Sequence, residues 1–313
     1  MQGIESHTAF VKQTAAGLGF SHCGIAKAER LDEDARRLET WLLKEHHAGM
    51  AYMENHFDLR VDPTKLVPGA KSVITLLMNY FPSASQDAGS PKISKYAYGK
   101  DYHDVIREKL NQFLYLLREK TGNINGRGFV DSAPVLERAW ATKTGLGWVG
   151  KNGNLINKQN GSFFFIATLI TDLNLIADNP FVKDYCGTCT KCIDSCPTDA
   201  ILPGKDIDAN RCISYLTIEL KDLMIPDEFS GKFNDWVFGC DICQDVCPWN
   251  RFSKPQEMPE FNPKEEILHF SFDEWNRIDE IKFREIFKNS PIKRSKFRGI
   301  KRNLQFLAND KSG

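Results

Sequence analysis

Residues 186–197 read CGTCTKCIDSCP and place four cysteines within eleven residues, with a proline directly after the fourth. This C-x2-C-x2-C-x3-C-P spacing is typical of segments that ligate 4Fe–4S clusters, and in proteins with two clusters the fourth cysteine ligates the other one. The same ending recurs at Cys240-x2-Cys243-x3-Cys247, again followed by proline. The repeated motif therefore predicts two clusters in one module.

The second motif lacks one local ligand, and Cys212 is the only remaining cysteine that could supply it. Exchange of the fourth cysteines between the motifs then gives each cluster four thiolates. Two structural zinc sites would use as many cysteines, but such sites usually combine separated C-x2–4-C pairs, so the compact spacing favours clusters. The predicted ligands are Cys186, Cys189, Cys192 and Cys247 for the first cluster, and Cys196, Cys212, Cys240 and Cys243 for the second.

The composition is that of an ordinary globular protein, with 42% hydrophobic and 26% charged residues and a formal net charge of zero. Any attraction to nucleic acid must therefore be local. The N-terminus lacks the uninterrupted apolar segment of a signal peptide, and the apolar stretch at 163–170 is far too short to span a bilayer. We expect a cytoplasmic protein without membrane contact, in which cysteines bind metal rather than form disulfides. The ninth cysteine, Cys23, lies in an apolar stretch and is expected to be a small buried side chain.

The cysteines divide the chain into three predicted parts. We expect a cysteine-poor domain over residues 1–178, a ferredoxin-like domain with two clusters over 179–252, and a short helical, basic tail over 253–313. The overall fold class predicted is α+β, with an N-terminal α/β domain whose strand order the sequence leaves open. The elements predicted for that domain are helices over 5–17, 32–46 and 104–120, a buried strand over 72–80 and a short strand ending near residue 130.

Two further local patterns lead to specific structural predictions. Ser132 and Pro134 together resemble the start of a helix, with serine as the cap and proline in the first turn. The pair Asn160-Gly161 predicts the turn of a hairpin between residues 155–157 and 162–171.

Asp131 lies at the end of the predicted short strand, and the glycine-dense loop GLGWVGKN follows at 145–152. Glycines allow the backbone to approach a bulky ligand closely. The alternative is a capped helix with a solvated aspartate and an ordinary loop, and these residues alone support both interpretations equally. The loop also lacks the G-x-x-x-x-G-K-[ST] pattern of a phosphate-binding loop.

Taken together, these stretches closely resemble the epoxyqueuosine reductases, the cobalamin-dependent enzymes of tRNA queuosine synthesis. The similarity runs from about residue 60 to about residue 307, and many separate motifs occur in the same order. Besides the cysteine motifs and the Gly-Leu-Gly-Trp loop, they are Arg60-Val-Asp-Pro, Gly99-Lys-Asp-Tyr-His103, Val130-Asp131-Ser132, Arg211-Cys-Ile-Ser214 and Arg298-Gly…Arg302-Asn303.

The resemblance implies an oxidoreductase that reduces epoxyqueuosine to queuosine at the wobble position of tRNA anticodons. Cobalamin would bind in the first domain, and the clusters would pass single electrons to it from an external donor of the ferredoxin or flavodoxin type. Asp131 matches the family's proton donor, and such acid catalysis contributes about 10²–10⁴-fold. A helix N-terminus would favour the carboxylate of Asp131, whereas burial would raise its pKa towards the protonated form that a donor needs.

The same motif matching implies further contacts. His103 lies in Asp101-x-His103-x-x-Ile106, which begins like the D-x-H-x-x-G motif of cobalt-ligating proteins but has isoleucine in place of the glycine, so we do not assign it as a ligand. Glu137 and Asn152 would face the tRNA nucleoside. The residues implied to contact cobalamin are Arg60, Leu155, Ile166, Ser214, Cys240 and Asp241.

Other interpretations remain open. A corrinoid reductive dehalogenase acting on small molecules would use the same electron path, but such enzymes usually carry an export signal. A non-catalytic two-cluster electron carrier would have no use for the Asp131 segment or the glycine loop. We expect a monomer. A basic run that either contacts tRNA phosphates or forms a solvated face consists of Lys293, Arg294, Lys296, Arg298, Lys301 and Arg302.

Overall fold

The first part of the chain is built around a four-stranded antiparallel sheet with the strand order β1-β2-β7-β4. The computed structural model describes residues 2–312. The prediction of a mixed α and β fold is confirmed, and the antiparallel pairing makes it α+β rather than a doubly wound parallel sheet. The strands are β1 (His22–Lys27), β2 (Ser72–Asn79), β3 (Lys92–Ile93), β4 (Gly126–Phe129), β5 (Trp148–Val149), β6 (Leu155–Ile156), β7 (Phe164–Thr171), β8 (Ile201–Leu202), β9 (Asp206–Ile207) and β10 (Trp236–Phe238).

Helices cover both faces of this sheet and form most of the tail. No helix in residues 2–312 is both long enough and apolar enough to cross a membrane. The helices are α1 (Gln2–Gly17), α2 (Asp32–Leu43), α3 (Phe57–Val61), α4 (Pro63–Leu66), α5 (Tyr102–Thr121), α6 (Glu137–Lys143), α7 (Lys191–Asp194), α8 (Ile213–Ile218), α9 (Ile242–Asp245), α10 (Glu265–His269), α11 (Phe272–Arg277), α12 (Glu280–Ile286) and α13 (Lys296–Ser312).

The central strand β2 is buried on both sides, which explains why its sequence is a nearly continuous apolar run. Successive side chains of a strand point to opposite faces. Leu76 accordingly packs in one cluster with Phe113 of α5, whereas its neighbour Leu77 packs in another with Ala141 of α6. The sheet therefore holds the N-terminus of α5 and the segment before α6 in fixed positions.

A second hydrophobic core joins the tail to the segment between Cys212 and Cys240. Trp275 stacks on Phe287 with ring centroids 5.3 Å apart, and both pack in one buried cluster with Ile93 and Val237. Residues on both sides of position 252 share this core. The boundaries of the three predicted parts remain predictions.

The predicted hairpin over residues 155–171 is wrong. Leu155–Ile156 pairs instead with Trp148–Val149, and β7 lies between β2 and β4. A single bridge between Asn157 and Gly161 closes the Asn-Gly turn. The apolar run of β7 is long enough to be a central strand, which needs a partner on each side.

The predicted helix start at Ser132 is also wrong, because α6 begins only at Glu137. Asp131 has a φ of +52°, a left-handed conformation that is incompatible with a helix. The residue before Pro134 is also disfavoured in the α region. Residues 131–134 therefore form bends, and Asp131 does not lie at a helix N-terminus.

Asn303 in α13 is fully buried and links three elements. Its Nδ2 donates to the main-chain oxygens of Thr217 and Val237, both at 2.8 Å. We expect Asn303→Ala to lower the free energy of unfolding by about 1–3 kcal/mol, because buried carbonyls lose their donor. Urea midpoints of the cluster-loaded protein measure this. Gln305→Ala, at an exposed position of the same helix, is the control and should change stability by no more than about 0.5 kcal/mol; equal midpoints for the two variants would contradict the role of Asn303.

Candidate functional site

The structure brings the eight motif cysteines together in the two predicted sets. One cavity, with an empty volume of about 330 Å³ including its open mouth, contains the whole first set, although one member comes from the other end of the module. No group of three or more His, Cys, Asp or Glu side chains within residues 2–312 is arranged to hold a single metal ion. The cysteines that line this cavity are Cys186, Cys189, Cys192 and Cys247.

The second set lies deeper. Burial raises the pKa of Cys243 well above its usual value, and the nearby Cys240, Cys212 and Cys196 raise it further. Burial also raises the pKa of Cys247, but the thiols that raise it further are Cys186 and Cys189. The thiols that act on Cys192, Cys212, Cys240, Cys243 and Cys247 therefore all belong to the same predicted set as the cysteine that they affect.

The two halves of the module share one local geometry. Cys192 lies in α7 and Cys243 in α9, and each of these helices is a single turn. The main-chain N–H of Cys196 donates to Ile193, and that of Cys247 donates to Gln244, at 3.1 and 3.0 Å. The same x3 spacing thus turns the chain in the same way twice, and a proline follows each turn.

Asp131 lies at the end of β4 with 63% of its side chain accessible to solvent. Its N–H donates to Oε1 of Glu137 at 3.0 Å, which holds the left-handed backbone. The hydroxyl of Tyr102 donates to its Oδ2, and Nε2 of His103 lies 3.4 Å from the same oxygen. The first turn of α5 therefore supplies two partners to one carboxylate oxygen.

His103 continues into a charged row that consists of Lys293, Asp101, His103 and Asp131. Its Nδ1 lies 2.8 Å from Oδ1 of Asp101, and the Nζ of Lys293 lies 2.8 Å from Oδ2 of Asp101. Asp101 also caps α5 by accepting the N–H of His103 at 3.1 Å. Both ring nitrogens of His103 face carboxylates, so neither is free to ligate cobalt.

The row determines where a proton resides. Burial lowers the pKa of His103, but hydrogen bonds to Asp101 and Asp131 outweigh this effect and raise it to about 9. Neighbouring protein atoms shield part of Asp131 from water and raise its pKa, but hydrogen bonds from His103 and Tyr102 outweigh this effect, so the net pKa falls below the usual value. At neutral pH the imidazole is therefore protonated and Asp131 is ionised. Burial and the charge of Asp131 raise the pKa of Glu137 to about 7.

The predicted cobalamin contacts near the sheet have the following surroundings. Arg60 is buried; its Nη2 donates to the main-chain oxygen of Tyr52 at 2.7 Å, while its Nε finds no hydrogen-bond partner among the described residues 2–312. Leu155 and the half-buried Ile166 pack together in one apolar cluster. The remaining cobalamin contacts lie in the cysteine module.

Ser214 lies in the first turn of α8, two residues after Cys212. Asp241 is only 2% exposed, and its Oδ2 accepts the N–H of Lys95 at 2.8 Å. Burial raises the pKa of Asp241. This carboxylate is therefore engaged in holding the chain at Lys95, and its contact with cobalamin remains a prediction.

Asn152, predicted to face the tRNA nucleoside, is only 8% exposed. Its Nδ2 donates to the main-chain oxygen of Cys243 at 3.1 Å, and the residue also lines the cavity of the first cysteine set. Asn152 thus lies between the two cysteine sets, and its contact with the nucleoside remains a prediction.

Half of the basic run (Lys293, Arg294 and Arg302) holds the tail to the rest of the protein, a role that sequence reasoning missed. Arg302 donates to the main-chain oxygens of Leu216 and Leu220, both at 2.8 Å. Lys296 and Arg298 have no ion-pair partner within residues 2–312. The other three contacts are Lys293 with Asp101 at 2.8 Å, Arg294 with Glu219 at 2.6 Å, and Lys301 with the main-chain oxygen of Asn276 at 2.5 Å.

Comparison with known proteins connects both parts of this site to one family. The family described as "Epoxyqueuosine reductase QueG, DUF1730" matches residues 60–132, and a "4Fe-4S double cluster binding domain" matches residues 185–250. The second match confirms the predicted two-cluster module.

Full-length similarity points the same way. The epoxyqueuosine reductase of Cyclobacterium marinum is 57% identical over 314 residues, with 100% of both chains covered. A solved epoxyqueuosine reductase with an epoxyqueuosine-modified tRNA stem loop is 31% identical with a TM-score of 0.86, covering 96% of this chain and 80% of the other. A Bacillus subtilis epoxyqueuosine reductase, whose catalytic aspartate loop is swung out of the active site, has a TM-score of 0.88 at 31% identity and the same coverage. This chain belongs to the epoxyqueuosine reductase family.

Proposed function

We propose that this protein removes the epoxide oxygen of epoxyqueuosine in the anticodon of tRNA and so produces queuosine. The observation that carries the proposal is the position of His103, with its Nε2 3.4 Å from Oδ2 of the accessible Asp131, in a chain that also has a two-cluster module. Conversion of an epoxide to an alkene breaks two C–O bonds, takes up two electrons and two protons, and releases water. The site must therefore supply protons as well as electrons.

The cysteine sets suit 4Fe–4S clusters, since each offers four thiols and thiolates are the usual cluster ligands. Cys186, Cys189, Cys192 and Cys247 would hold the first cluster, and Cys196, Cys212, Cys240 and Cys243 the second. The unpartnered Nε of Arg60 and the apolar pair Leu155 and Ile166 suit cobalamin, with Ser214, Cys240 and Asp241 as further contacts. When bound, the clusters supply one-electron transfer, and cobalamin supplies cobalt redox chemistry.

The second cysteine set would face the substrate site. Tyr96 lies between the two, with its ring 6.1 Å from Tyr102 on one side and 6.1 Å from Phe238 on the other. Its pKa is raised first by burial and then by Asp131 and Asp241, and Asp241 is the neighbour of Cys240. The half-buried side chain of Tyr96 therefore lies within electrostatic range of both sites.

Asp131 would deliver the proton and His103 would hold it. An epoxide oxygen is a poor leaving group unless it is protonated. Nε2 of His103 donates towards Oδ2 of Asp131, from which the proton can pass to the substrate oxygen at the accessible side of the carboxylate. Asp101 and Lys293 position the imidazole, and Glu137 positions the backbone of Asp131. Glu137 and Asn152 remain the proposed contacts to the nucleoside.

The raised pKa of His103 predicts the pH dependence of the reaction. A pKa raised from the usual 6.5 to about 9 keeps the imidazole protonated through neutral pH, so we expect kcat to fall as the pH rises through about 9. His103→Gln should lower kcat and remove this alkaline decrease. Single-turnover rates with a chemical reductant at fixed potential measure the profile, and His269→Gln, at an exposed histidine of α10, is the control. An alkaline decrease that persists in His103→Gln would assign the titration to another group.

The proposed reaction itself has a direct test. The protein is reconstituted anaerobically with iron, sulfide and cobalamin, and then reduced chemically in the presence of a stem loop that carries epoxyqueuosine. Mass spectrometry of the digested nucleosides should show the loss of one oxygen atom. Absence of corrin binding would favour the non-catalytic electron carrier, and conversion of haloarenes without conversion of the stem loop would favour the dehalogenase.

We also propose that the chain has three parts, at 1–178, 179–252 and 253–313. The protein would be a cytoplasmic monomer that receives electrons from an external one-electron donor of the ferredoxin or flavodoxin type. The sheet, which ends at Thr171, supports the first boundary. The elution volume of the loaded protein on size exclusion checks the monomer.

A further inference from the structure

The first cysteine set lies close to the protein surface. Gly187 and Thr188, between its first two cysteines, are exposed, and so is Lys191 before the third. The neighbours of the second set, Asp241 and Gln244, are buried. The shortest path for an electron from a donor at the protein surface to the cysteine module therefore leads to the first cysteine set.

Aromatic side chains border this approach on one side. The indole Nε1 of Trp148 donates to Sγ of Cys186 at 3.5 Å, and Trp249 lines the cysteine cavity. Their rings meet edge to face with centroids 5.2 Å apart. Tyr185 touches both rings, and the partly exposed Phe252 lies against Trp249. We call Trp148, Tyr185, Trp249 and Phe252 the aromatic rim.

Cations surround the aromatic rim. The Nζ of Lys158 lies 5.1 Å from the ring centre of Tyr185, and the guanidinium of Arg251 lies 4.3 Å from that of Phe252. Lys183 lies two residues before Tyr185. The basic patch is defined by four exposed residues without an ion-pair partner among residues 2–312: Lys158, Lys183, Lys191 and Arg251.

Few acids offset this patch. Asp184 forms an ion pair with Lys205 at 2.9 Å, and Asp194, which accepts a hydrogen bond from Thr190 and keeps its charge, stands against the four cations of the patch. Since the whole chain has no net charge, the excess of cations here is a local concentration. It would attract an acidic protein and raise its association rate.

We propose that the basic patch and aromatic rim form the docking site of an acidic one-electron carrier protein. The inference rests on the proposed function and specifies where its electrons enter. Each docking event would oxidise the carrier by one electron, so two events supply the two electrons that one epoxide consumes. The partly exposed Phe252 and exposed Val182 provide the apolar contacts that interfaces place inside a charged border.

RNA is a weaker candidate for this surface. Single-stranded RNA stacks its bases on accessible aromatic faces. Here the rings of the aromatic rim pack against one another, and Lys158 and Arg251 cover ring faces. An RNA would also bring no electron to the adjacent cysteines.

Charge reversal tests the docking site in the fully loaded enzyme. The probe is a reduced flavodoxin, and the variants are Lys158→Glu with Arg251→Glu, and Lys183→Glu with Lys191→Glu. We expect the KM for flavodoxin to rise at least about tenfold at low ionic strength, with kcat on sodium dithionite unchanged. Lys288→Glu, at an exposed lysine of the tail, is the control and should leave both unchanged.

Each outcome decides between the possibilities. An unchanged KM for flavodoxin in both double variants, with normal iron content, would overturn the docking site. A raised KM for the tRNA stem loop together with an unchanged KM for flavodoxin would also overturn it, in favour of an RNA contact. Absence of stem-loop conversion by the unmodified enzyme with dithionite would instead refute the proposed function.

Discussion

Replacement of Asp131 by asparagine should reduce the single-turnover rate by about 10²–10⁴-fold while iron and cobalamin binding stay normal. The amide still accepts a hydrogen bond from Tyr102, but it cannot take a proton from His103 and pass it on. Asparagine is also among the few residues that tolerate a left-handed backbone, so it preserves the φ of +52° at this position. Asp131→Ala should lose turnover as well, with additional backbone strain.

The rate is measured with a chemical reductant and the epoxyqueuosine stem loop, so that electron docking plays no part. Asp104→Asn is the matched control, because Asp104 has the same side-chain exposure and lies in the first turn of the same helix as His103; it pairs with Arg107 at 3.3 Å and approaches Lys293 only to 3.9 Å. A near-normal rate for Asp131→Asn would remove Asp131 from proton transfer. A loss of bound iron in the same proportion as the loss of rate would show that Asp131 has a structural role.

The grouping of the cysteines could be predicted from sequence because short spacings constrain geometry directly. Four ligands within eleven residues leave the chain few ways to turn, and the second motif repeats the same turns. Cys212 required only elimination. The turns within each motif are a local property of the chain, whereas the exchange of the fourth cysteines was predicted from the general pattern of two-cluster proteins.

The charged row could not be predicted in the same way. Asp101 and His103 are neighbours in sequence, but Lys293 joins them from a tail almost two hundred residues later. The D-x-H pattern did point to the right segment, although the role it suggested was cobalt ligation. Asp101 caps α5, and Tyr102 and His103 form its first turn, so the start of this helix carries the partners of Asp131. The position of the helix start next to Asp131 depends on the strand order of the sheet.

The strand order illustrates the same limit. β2 and β7 are both apolar runs of eight residues, and periodicity alone does not determine which strands pair. The Asn-Gly turn does form, closed by a single bridge between Asn157 and Gly161, but β6 and β7 on either side of it pair with other strands. Long-range pairing therefore overrode a local turn signal.

Crossed ligation of the clusters predicts that a single cysteine substitution in one motif removes the cluster assigned to the other motif. Cys247→Ala should remove the first cluster although Cys247 belongs to the second motif, while Cys196→Ala and Cys212→Ala should both remove the second cluster. Each variant should fall from about eight to about four iron atoms per chain and lose turnover, because both clusters are needed on the electron path. Iron analysis and electron paramagnetic resonance of the reduced protein distinguish which cluster remains.

The decisive comparison is with Cys212→Ala: crossed ligation predicts that Cys196→Ala leaves the same spectrum as Cys212→Ala and that Cys247→Ala leaves the other one. If each motif ligated its own cluster, Cys247→Ala would leave the same spectrum as Cys212→Ala, and Cys196→Ala would leave the other one. The structure argues against this arrangement, because Cys247 lines one cavity with Cys186, Cys189 and Cys192, while Cys196 is not among its lining residues. Cys23→Ala is the control: burial raises the pKa of this thiol to about 12, so it remains protonated, and its removal should leave the iron content and both spectra unchanged.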